Sequence, residues 1–207
     1  MSSLYIIPAR DAPIAAILRR GPSRWYHIIR WDMARDEFVH GSWIKGRIYE
    51  SRCDVSPDGE LLLYFVQQAN RSQTDFSNAW TAVSRLPWLT AHSLWPQGTT
   101  YGGGGRFVDN RRIMLRPVHG TGLATHQNFP LRGLTVVDGA ADEHSSLDLV
   151  TDADWSGHDH AGRLIYAKSD RVYRRGQCGD ELVADFSALE PNPQAAPAWA
   201  SLPPSKR

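Results

Sequence analysis

The side chains best suited to chemistry are histidines and an aspartate in two loops. His158, Asp159 and His160 are consecutive and could offer two imidazoles and a carboxylate to a metal ion or an acid–base reaction. His119 and His126 flank a Gly-Thr-Gly turn and could join them. A metal site needs further ligands on rigid elements, and polar residues are the default in such loops. We therefore treat these residues as candidate binding residues and predict no metal site and no cofactor.

A run of four glycines, Gly102–Gly105, stands directly before Arg106. A phosphate-binding loop would continue with Lys and Ser or Thr and lead into a helix. Here Phe, Val, Asp and Asn follow the arginine, which indicates a strand and a turn. Glycines in such a place indicate a close approach of backbones. Gly103, Gly104 and Arg106 are kept as candidate ligand contacts.

A catalytic nucleophile has no clear signature in this chain. There is no Gly-x-Ser-x-Gly motif. Ser56 and Ser156 fall at equivalent positions of a repeat, which favours a structural role. Cys53 precedes a hairpin and is expected to pack within it, and Cys178 lies in a turn and is the better candidate for a reactive thiol. We predict no catalytic residues, and two free thiols in a reducing compartment are favoured over a disulfide between Cys53 and Cys178.

Charge and composition exclude several classes of protein. The chain has 207 residues, 23 Lys and Arg against 22 Asp and Glu, and a net charge of +1. Its 42% hydrophobic and 22% charged residues are those of a globular protein, and the length fits one domain. The arginine pairs at 19–20, 111–112 and 174–175 could bind nucleic acid if they clustered. A balanced charge favours solvated strand ends instead, so no nucleic-acid partner is expected.

The elements that must position these residues are strands. Eight Trp, seven Tyr and six Phe stand beside 17 Gly and 13 Pro, a mixture that favours strands and turns. Apolar runs are short and alternating, and turn signals such as Pro57-Asp58-Gly59 separate them. About fourteen short strands in one domain indicate a sandwich, a barrel or a propeller.

An internal repeat favours the propeller. Residues 54–64 and 154–166 share an order of Asp, apolar, Ser, turn, Gly, charged, aliphatic and Tyr, and residues 106–115 form a weaker copy. Val55, Phe107 and Trp155 are then equivalent and lie about fifty residues apart, which is the size of a four-stranded blade. The stretch before residue 45 supplies one further unit.

The turn Ser56-Pro57-Asp58-Gly59 and the strand after it resemble the WD40-like repeat of TolB-type β-propellers. The chain as a whole resembles small bacterial proteins that carry this turn once or twice. The resemblance implies a small all-β propeller and transfers no catalytic residue, because the motif is structural. We predict four blades, with five as the alternative, over residues 1–189, and an extended proline-rich tail over 190–207.

Two further predictions concern packing. Large aromatic side chains should fill the space between blades; they are Trp80, Trp88, Trp95 and Trp155. The ring should close by the addition of Leu4–Ile7 to the last blade, and Trp199 should pin the tail onto the body.

A rigid propeller that presents loops on one face suits recognition. We therefore predict a non-catalytic binding or scaffold module with a protein partner, and an immunity or regulatory protein encoded beside its partner fits equally well. A small ligand is the lesser alternative. The rival is a hydrolase or lyase with an axial pocket lined by His119, His126, His158 or Asp159. Pro8, Arg10 and Asp11 interrupt the first apolar run, so we expect neither a signal peptide nor a membrane span, and a cytoplasmic location.

Overall fold

A computed structural model describes residues 2–68, 77–116, 124–139, 141–144, 147 and 149–203. Within these ranges the chain is all-β, with sixteen strands, three short 3-10 helices and no α-helix. The strands form four sheets that follow one another along the chain. This architecture confirms the predicted fold class and is consistent with a small β-propeller.

The first sheet is an antiparallel meander in which each strand pairs with the next. Its strands are β1 (Ser3–Pro8), β2 (Ile14–Arg20), β3 (Trp25–Asp32) and β4 (Glu37–Lys45). Leu4–Ile7 therefore belongs to the first sheet, where it pairs with β2, and the prediction that it joins the last blade is wrong. A tight connection to β2 makes local pairing the shorter route.

The second sheet has a divided inner strand. Its strands are β5 (Arg47–Ile48), β6 (Asp54–Val55), β7 (Leu61–Gln67), β8 (Ala79–Arg85) and β9 (Ala91–Pro96). Both β5 and β6 pair with β7, and a 3-10 turn at Glu50–Arg52 separates them. This turn carries Ser51 and Arg52 away from the sheet towards the centre of the molecule.

The third sheet is short and the fourth is a full meander. The third contains β10 (Gly105–Phe107), β11 (Arg112–Leu115) and β12 (Thr135–Val136), and β12 runs parallel to β11. The fourth contains β13 (Trp155–His158), β14 (Leu164–Lys168), β15 (Arg171–Gly176) and β16 (Gly179–Asp185), all antiparallel. Val55, Phe107 and Trp155 each lie in the first or innermost strand of a sheet, as the repeat predicts.

The repeated turns have a shared chemistry. Gly59 and Gly162 both adopt positive φ, at +73° and +75°, which glycine allows without strain. Gly59 donates its backbone N–H to the Ser56 carbonyl at 2.8 Å, and Gly162 donates to the Asp159 carbonyl at 2.9 Å. The Asp159 turn is thus the counterpart of the Ser56 turn.

Three hydrophobic clusters lie between neighbouring sheets: first with second, first with fourth, and second with third. On β2, Ala15 and Ile17 pack towards the fourth sheet, while Ala16 and Leu18 pack towards the second. The period-two alternation of a strand buried on both faces explains this division. Three of the predicted aromatic fillers belong to these clusters, namely Trp80, Trp95 and Trp155, whereas Trp88 is half-buried outside them.

Ion pairs reinforce the contact between the first and fourth sheets. Arg19 and Asp170 form a buried salt bridge of 3.1 Å, and Arg174 binds Asp36 at 2.6 Å. Both pairs join residues more than 130 positions apart in sequence. The two ends of the β-structure are therefore held together by charge as well as by apolar packing.

The third and fourth sheets share no such cluster among the residues that the structure describes. The segment between them contacts the second and fourth sheets instead. His144 donates its backbone N–H to the Ser51 carbonyl at 2.6 Å, and Leu147 donates to the Ser156 carbonyl at 3.2 Å. This segment brings the exposed Glu143 and the half-buried His144 next to Ser51, Asp54 and Arg106, a region called the centre of the molecule below.

The two aspartates of the repeat occupy equivalent positions between sheets. The Asp54 carboxylate accepts the backbone N–H of Phe107 at 2.7 Å, which links the second sheet to the third. The Asp154 carboxylate accepts a backbone hydrogen bond from Leu4, which links the fourth sheet to the first.

The C-terminal segment crosses the outer edges of the sheets. Residues 190–197 have no regular structure, and a 3-10 turn follows at Ala198–Ser201. Arg85 donates to the carbonyl oxygens of Leu202 and Pro203, at 3.1 and 3.3 Å. No helix in the described part of the chain is long and apolar enough to cross a membrane.

Candidate functional site

The predicted residues at 158–160 divide between solvent and structure. His158 and His160 are exposed, whereas Asp159 is buried. The Asp159 carboxylate accepts the backbone N–H groups of Ala161 and Arg163, each at 2.9 Å, and the Arg163 guanidinium at 2.7 Å. Burial alone would raise the pKa of Asp159, but these hydrogen bonds lower it below its usual value. Asp159 thus holds its own turn in the charged state.

His126 lies elsewhere, and His119 falls outside the described residues. His126 is buried beside β9, where its backbone N–H donates to the Leu94 carbonyl at 2.8 Å and its ring packs on Phe129. His158 belongs to the fourth sheet, so the structure does not bring these two histidines together. Over the described ranges, no group of three or more His, Cys, Asp and Glu side chains is arranged to hold a metal ion.

The glycine run passes close to the rest of the backbone. Gly103 and Gly104 have φ angles of +92° and +83°. A Cβ on Gly104 would lie 2.2 Å from the Arg52 carbonyl oxygen, and one on Gly103 would lie 2.2 Å from the Phe65 ring. The Gly104 N–H donates to Thr81 Oγ1 at 2.8 Å. These contacts occupy the loop with the chain's own atoms.

Arg106 belongs to a polar network at the centre of the molecule. Its Nη1 lies 2.7 Å from Nδ1 of His144, and its Nε donates to the Asp142 carbonyl at 2.9 Å. His144 Nε2 in turn lies 3.1 Å from Asp54 Oδ1. The network therefore joins three parts of the chain. Asp54 belongs to the second sheet, Arg106 to the third, and His144 to the segment between the third and fourth sheets.

A second cluster binds a carboxylate with three donors. Glu143 accepts hydrogen bonds from Ser51 Oγ at 3.0 Å, from Arg52 Nε at 3.1 Å and from Arg116 Nη1. The bond from Arg116, opposed by burial and aided by Ser51 and Arg52, lowers the pKa of Glu143. Both arginines are thereby paired with the same carboxylate, whose single negative charge balances one of them.

A cavity of about 200 Å³ lies beside the central network. Its lining includes Tyr5 and Ile7 from β1, Trp155 and His158 from β13, and His144. Burial raises the pKa of Tyr5 to about 12, so its hydroxyl is a hydrogen-bond donor and not a base at neutral pH. The cavity is small for an organic ligand.

A larger cavity of about 490 Å³ opens between the outer strands of the first and second sheets. We call it the aromatic groove. Its residues are Trp25, Trp43, Ile44, Lys45, Tyr64, Gln68, Trp80, Leu89, Thr90, Ala91, Leu94, Phe129 and Pro193. Tyr64, Trp80 and Leu94 are buried and form its floor. This volume and apolar lining are typical of ligand sites.

Stacked rings hold the first-sheet wall of the groove. Trp43 stacks on His27 with 4.1 Å between ring centroids and meets Trp25 edge to face at 6.4 Å. Behind it, His27 Nε2 lies 2.9 Å from His40 Nδ1. Burial, together with His40, lowers the pKa of His27 to about 4. The wall is therefore backed by an imidazole that is neutral at physiological pH.

The remaining candidates have structural partners. Cys53 is free and buried, which raises the pKa of its thiol, and Cys178 is free and exposed. In the arginine pairs, Arg19 forms the buried ion pair with Asp170, Arg174 pairs with the exposed Asp36, and Arg112 binds Asp109 at 2.6 Å. These arginines do not form a free cationic surface.

The chain was compared with protein-family models, with curated proteins and with solved structures, and it matches none of them.

Sequence reasoning missed the groove and much of the centre. Trp25 and Trp43 lie on adjacent strands with Lys45, and their alternation could have indicated a shared face. Glu143 and His144 carry no local signal, because their partners lie about ninety positions away.

Proposed function

We propose that this chain is a four-bladed β-propeller that acts as a non-catalytic binding module for a protein partner, with the aromatic groove as its recognition surface. The observation that carries the proposal is the groove itself, a cavity of about 490 Å³ walled by Trp25, Trp43 and Phe129. Tryptophan and other aromatic side chains are the residues that contribute most to protein recognition.

Several contacts support the propeller. The four sheets supply one blade each, and the WD40-like turn at Ser56–Gly59 agrees with that class. The first sheet packs against both the second and the fourth, as adjoining blades of a ring would. Asp54 and Asp154 make the same kind of bond to the next inner strand, at Phe107 and Leu4. In a ring of four, these are the second-to-third and fourth-to-first junctions.

The state of the polar side chains supports binding over catalysis. Asp54, Arg106, Glu143 and Asp159 are engaged in hydrogen bonds with other parts of the chain. A catalytic acid, base or nucleophile must be within reach of a substrate. The aromatic groove is bordered instead by ring faces and by one cation, Lys45.

The test is lysine-directed cross-linking of the immobilised full-length chain to proteins of its native host. The proteins encoded by the neighbouring genes are tested first as partners. Lys45 lines the groove, and Lys168 is exposed on the fourth sheet and reports background. We expect one protein to cross-link at Lys45 and not at Lys168. The Trp43→Ala variant should lose it.

The matched control is Tyr101→Ala, because Tyr101 is an aromatic residue that is 89% exposed and lies outside the groove. It should retain the partner, and thermal unfolding should show that both variants fold. Capture that is equal in the Trp43 and Tyr101 variants, or cross-links only at Lys168, would refute the groove as the recognition surface.

A hydrolase or lyase is the second candidate, and one observation favours it. The His144 imidazole lies 3.1 Å from Asp54 Oδ1 and lines the central cavity with His158. A carboxylate that orients an imidazole is a common arrangement for a general base, and Arg106 would have to release Nδ1 of His144 before that nitrogen could accept a proton. Turnover of model ester, amide or phosphate substrates that is abolished by His144→Gln would support this candidate. Absence of turnover across the panel would eliminate it.

A further inference from the structure

We propose that the aromatic groove binds a proline-rich peptide in the extended polyproline conformation, and that the chain's own segment around Pro193 partly occupies the groove as a competitor. This inference rests on the proposed function, because it names the class of partner for the same groove.

The first support is that a proline already lies there. Pro193 is part of the groove lining, together with Trp25 and Trp43. It belongs to the sequence Pro191-Asn192-Pro193, in which prolines alternate with one other residue. Such segments adopt the polyproline conformation, and aromatic-lined grooves recognise it because little entropy is lost on binding.

The second support is an unsatisfied acceptor in the groove. Gln68 lines the groove, and its Nε2 donates to the Lys45 carbonyl at 2.7 Å. Its Oε1 is buried and accepts no hydrogen bond from the described residues. A buried acceptor without a partner is costly, and a turn of the amide towards the groove would let a ligand N–H satisfy it. In a Pro-x-Pro segment the intervening residue supplies that N–H.

The third support is the way the tail is anchored. Phe186 is buried between the fourth and first sheets, and Ala200 is fully buried at the other end, where His92 binds its backbone. Pro193 lies between these anchors and is itself exposed. The segment can therefore leave the groove while both anchors stay in place, so it acts as an internal competitor at high effective concentration.

The test measures peptide binding to the full-length chain by calorimetry. The probe is a synthetic peptide of residues 188–195, and its counterpart has both prolines replaced by alanine. The Pro193→Ala protein should bind the proline peptide about tenfold more tightly than the wild-type protein, because the competing segment is weakened. The alanine peptide should bind neither.

Two groove variants test the location. Trp43→Ala should abolish binding, and Thr90→Trp should block the groove from the opposite wall without removing a stacked ring. Tyr101→Ala should bind as the parent does. Thermal unfolding identifies any variant that fails to fold, and Thr90→Trp decides if Trp43→Ala is unstable.

The outcomes separate the two proposals. Maltohexaose is the second probe, because tryptophan-lined grooves also stack on sugars. Trp43-dependent binding of maltohexaose without peptide binding would overturn this inference. Lack of peptide binding to the Pro193→Ala protein would also overturn it, even if the Trp43-dependent protein is still captured at Lys45. If neither peptide binding nor Trp43-dependent capture of a protein at Lys45 is seen, the binding module is refuted as well.

Discussion

The centre of the molecule and the aromatic groove differ in how their side chains are used. Those at the centre bind one another, and those of the groove border an open cavity. At the centre, polar groups from distant parts of the sequence bind one another, as the buried Asp54 carboxylate does with the Phe107 N–H and with His144. In the groove, Trp25 and Trp43 border a cavity whose lining also includes one residue of the tail, Pro193. The difference teaches that residue types able to do chemistry can be fully engaged in structure, while residues that resemble core packing form the open surface.

Electrostatics explains why the centre is closed. A buried charge is costly unless it is paired and hydrogen-bonded. Inner strands of several sheets lie close together there, so a carboxylate on one sheet can bind donors from another part of the chain. Asp54 does so with the Phe107 N–H and with His144. An aromatic surface has no such requirement and can remain without a partner at less cost.

The strongest way to break this comparison is Asp54→Ala. Asp54 is 6% exposed and accepts the backbone N–H groups of Val55, at 2.9 Å, and Phe107, at 2.7 Å. Its removal leaves buried donors without acceptors and should lower the free energy of unfolding by about 4 kcal/mol. Urea unfolding measures the loss. Asp154→Ala is the comparison, because this aspartate accepts the same kind of backbone bond, from Leu4 and Ser169, but is exposed to water, so its loss should cost about 1 kcal/mol. Equal losses would show that the centre is no more structural than the surface.

Acidification should affect the groove wall before the centre. The folded pKa of His27 is about 4, below its unfolded value of about 6.5. Between these values the unfolded chain binds a proton that the folded chain does not, so stability falls as pH falls through this window. The loss should approach about 3 kcal/mol near pH 4. Glu143, with its lowered pKa, keeps its ion pairs until the pH falls below the usual carboxyl range.

Urea unfolding at about pH 7 and about pH 4.5 checks this expectation. His27→Phe keeps a ring against Trp43 and should remove most of the dependence in that window. A variant that loses as much stability on acidification as the wild type would assign the effect to other groups, such as His92, whose pKa burial also lowers.

The repeat allowed much of the fold to be predicted, because its signals are local. Turn glycines, alternating strands and the spacing of Val55, Phe107 and Trp155 are properties of short stretches, and the structure bears them out. The all-β class followed from them. The position of Leu4–Ile7 was predicted wrongly. Its sequence is compatible with a strand of the first or of the last sheet, and the structure pairs it with β2 of the first.

The candidate site was harder to predict, because its contacts are distant in sequence. His144 lies beside Asp54, ninety positions earlier, and Pro193 lines the same groove as Trp43, a hundred and fifty positions earlier. Local sequence made His158, Asp159 and His160 conspicuous, yet Asp159 is a turn residue whose partners are its immediate neighbours. Spacing alone cannot distinguish a carboxylate that binds its own turn from one that faces a substrate.

A glycine pair sharpens the claim that the glycine run is crowded. Gly104 and Gly98 both have positive φ, at +83° and +69°, but only Gly104 has backbone where a Cβ would lie. Gly98→Ala should cost about 1 kcal/mol through backbone strain alone. Gly104→Ala should cost about 2 kcal/mol more, because the Arg52 carbonyl must move. Thermal and urea unfolding of the two variants give the difference, and equal costs would mean that the loop has room for a ligand.

The smallest effect is expected at Trp199. This residue is 44% exposed and lines a surface cavity together with Val39, Leu86 and Pro87 beside the end of β8. Trp199→Ala removes only the buried part of one ring, so the free energy of unfolding should fall by about 1 kcal/mol and Tm by about 3 °C. Ala200 and the Arg85 hydrogen bonds continue to hold the tail. Differential scanning calorimetry, with Tyr101→Ala as the exposed control, measures the shift. A loss as large as that of Asp54→Ala would place the tail in the core, and Pro193 could then no longer leave the groove as an independent competitor.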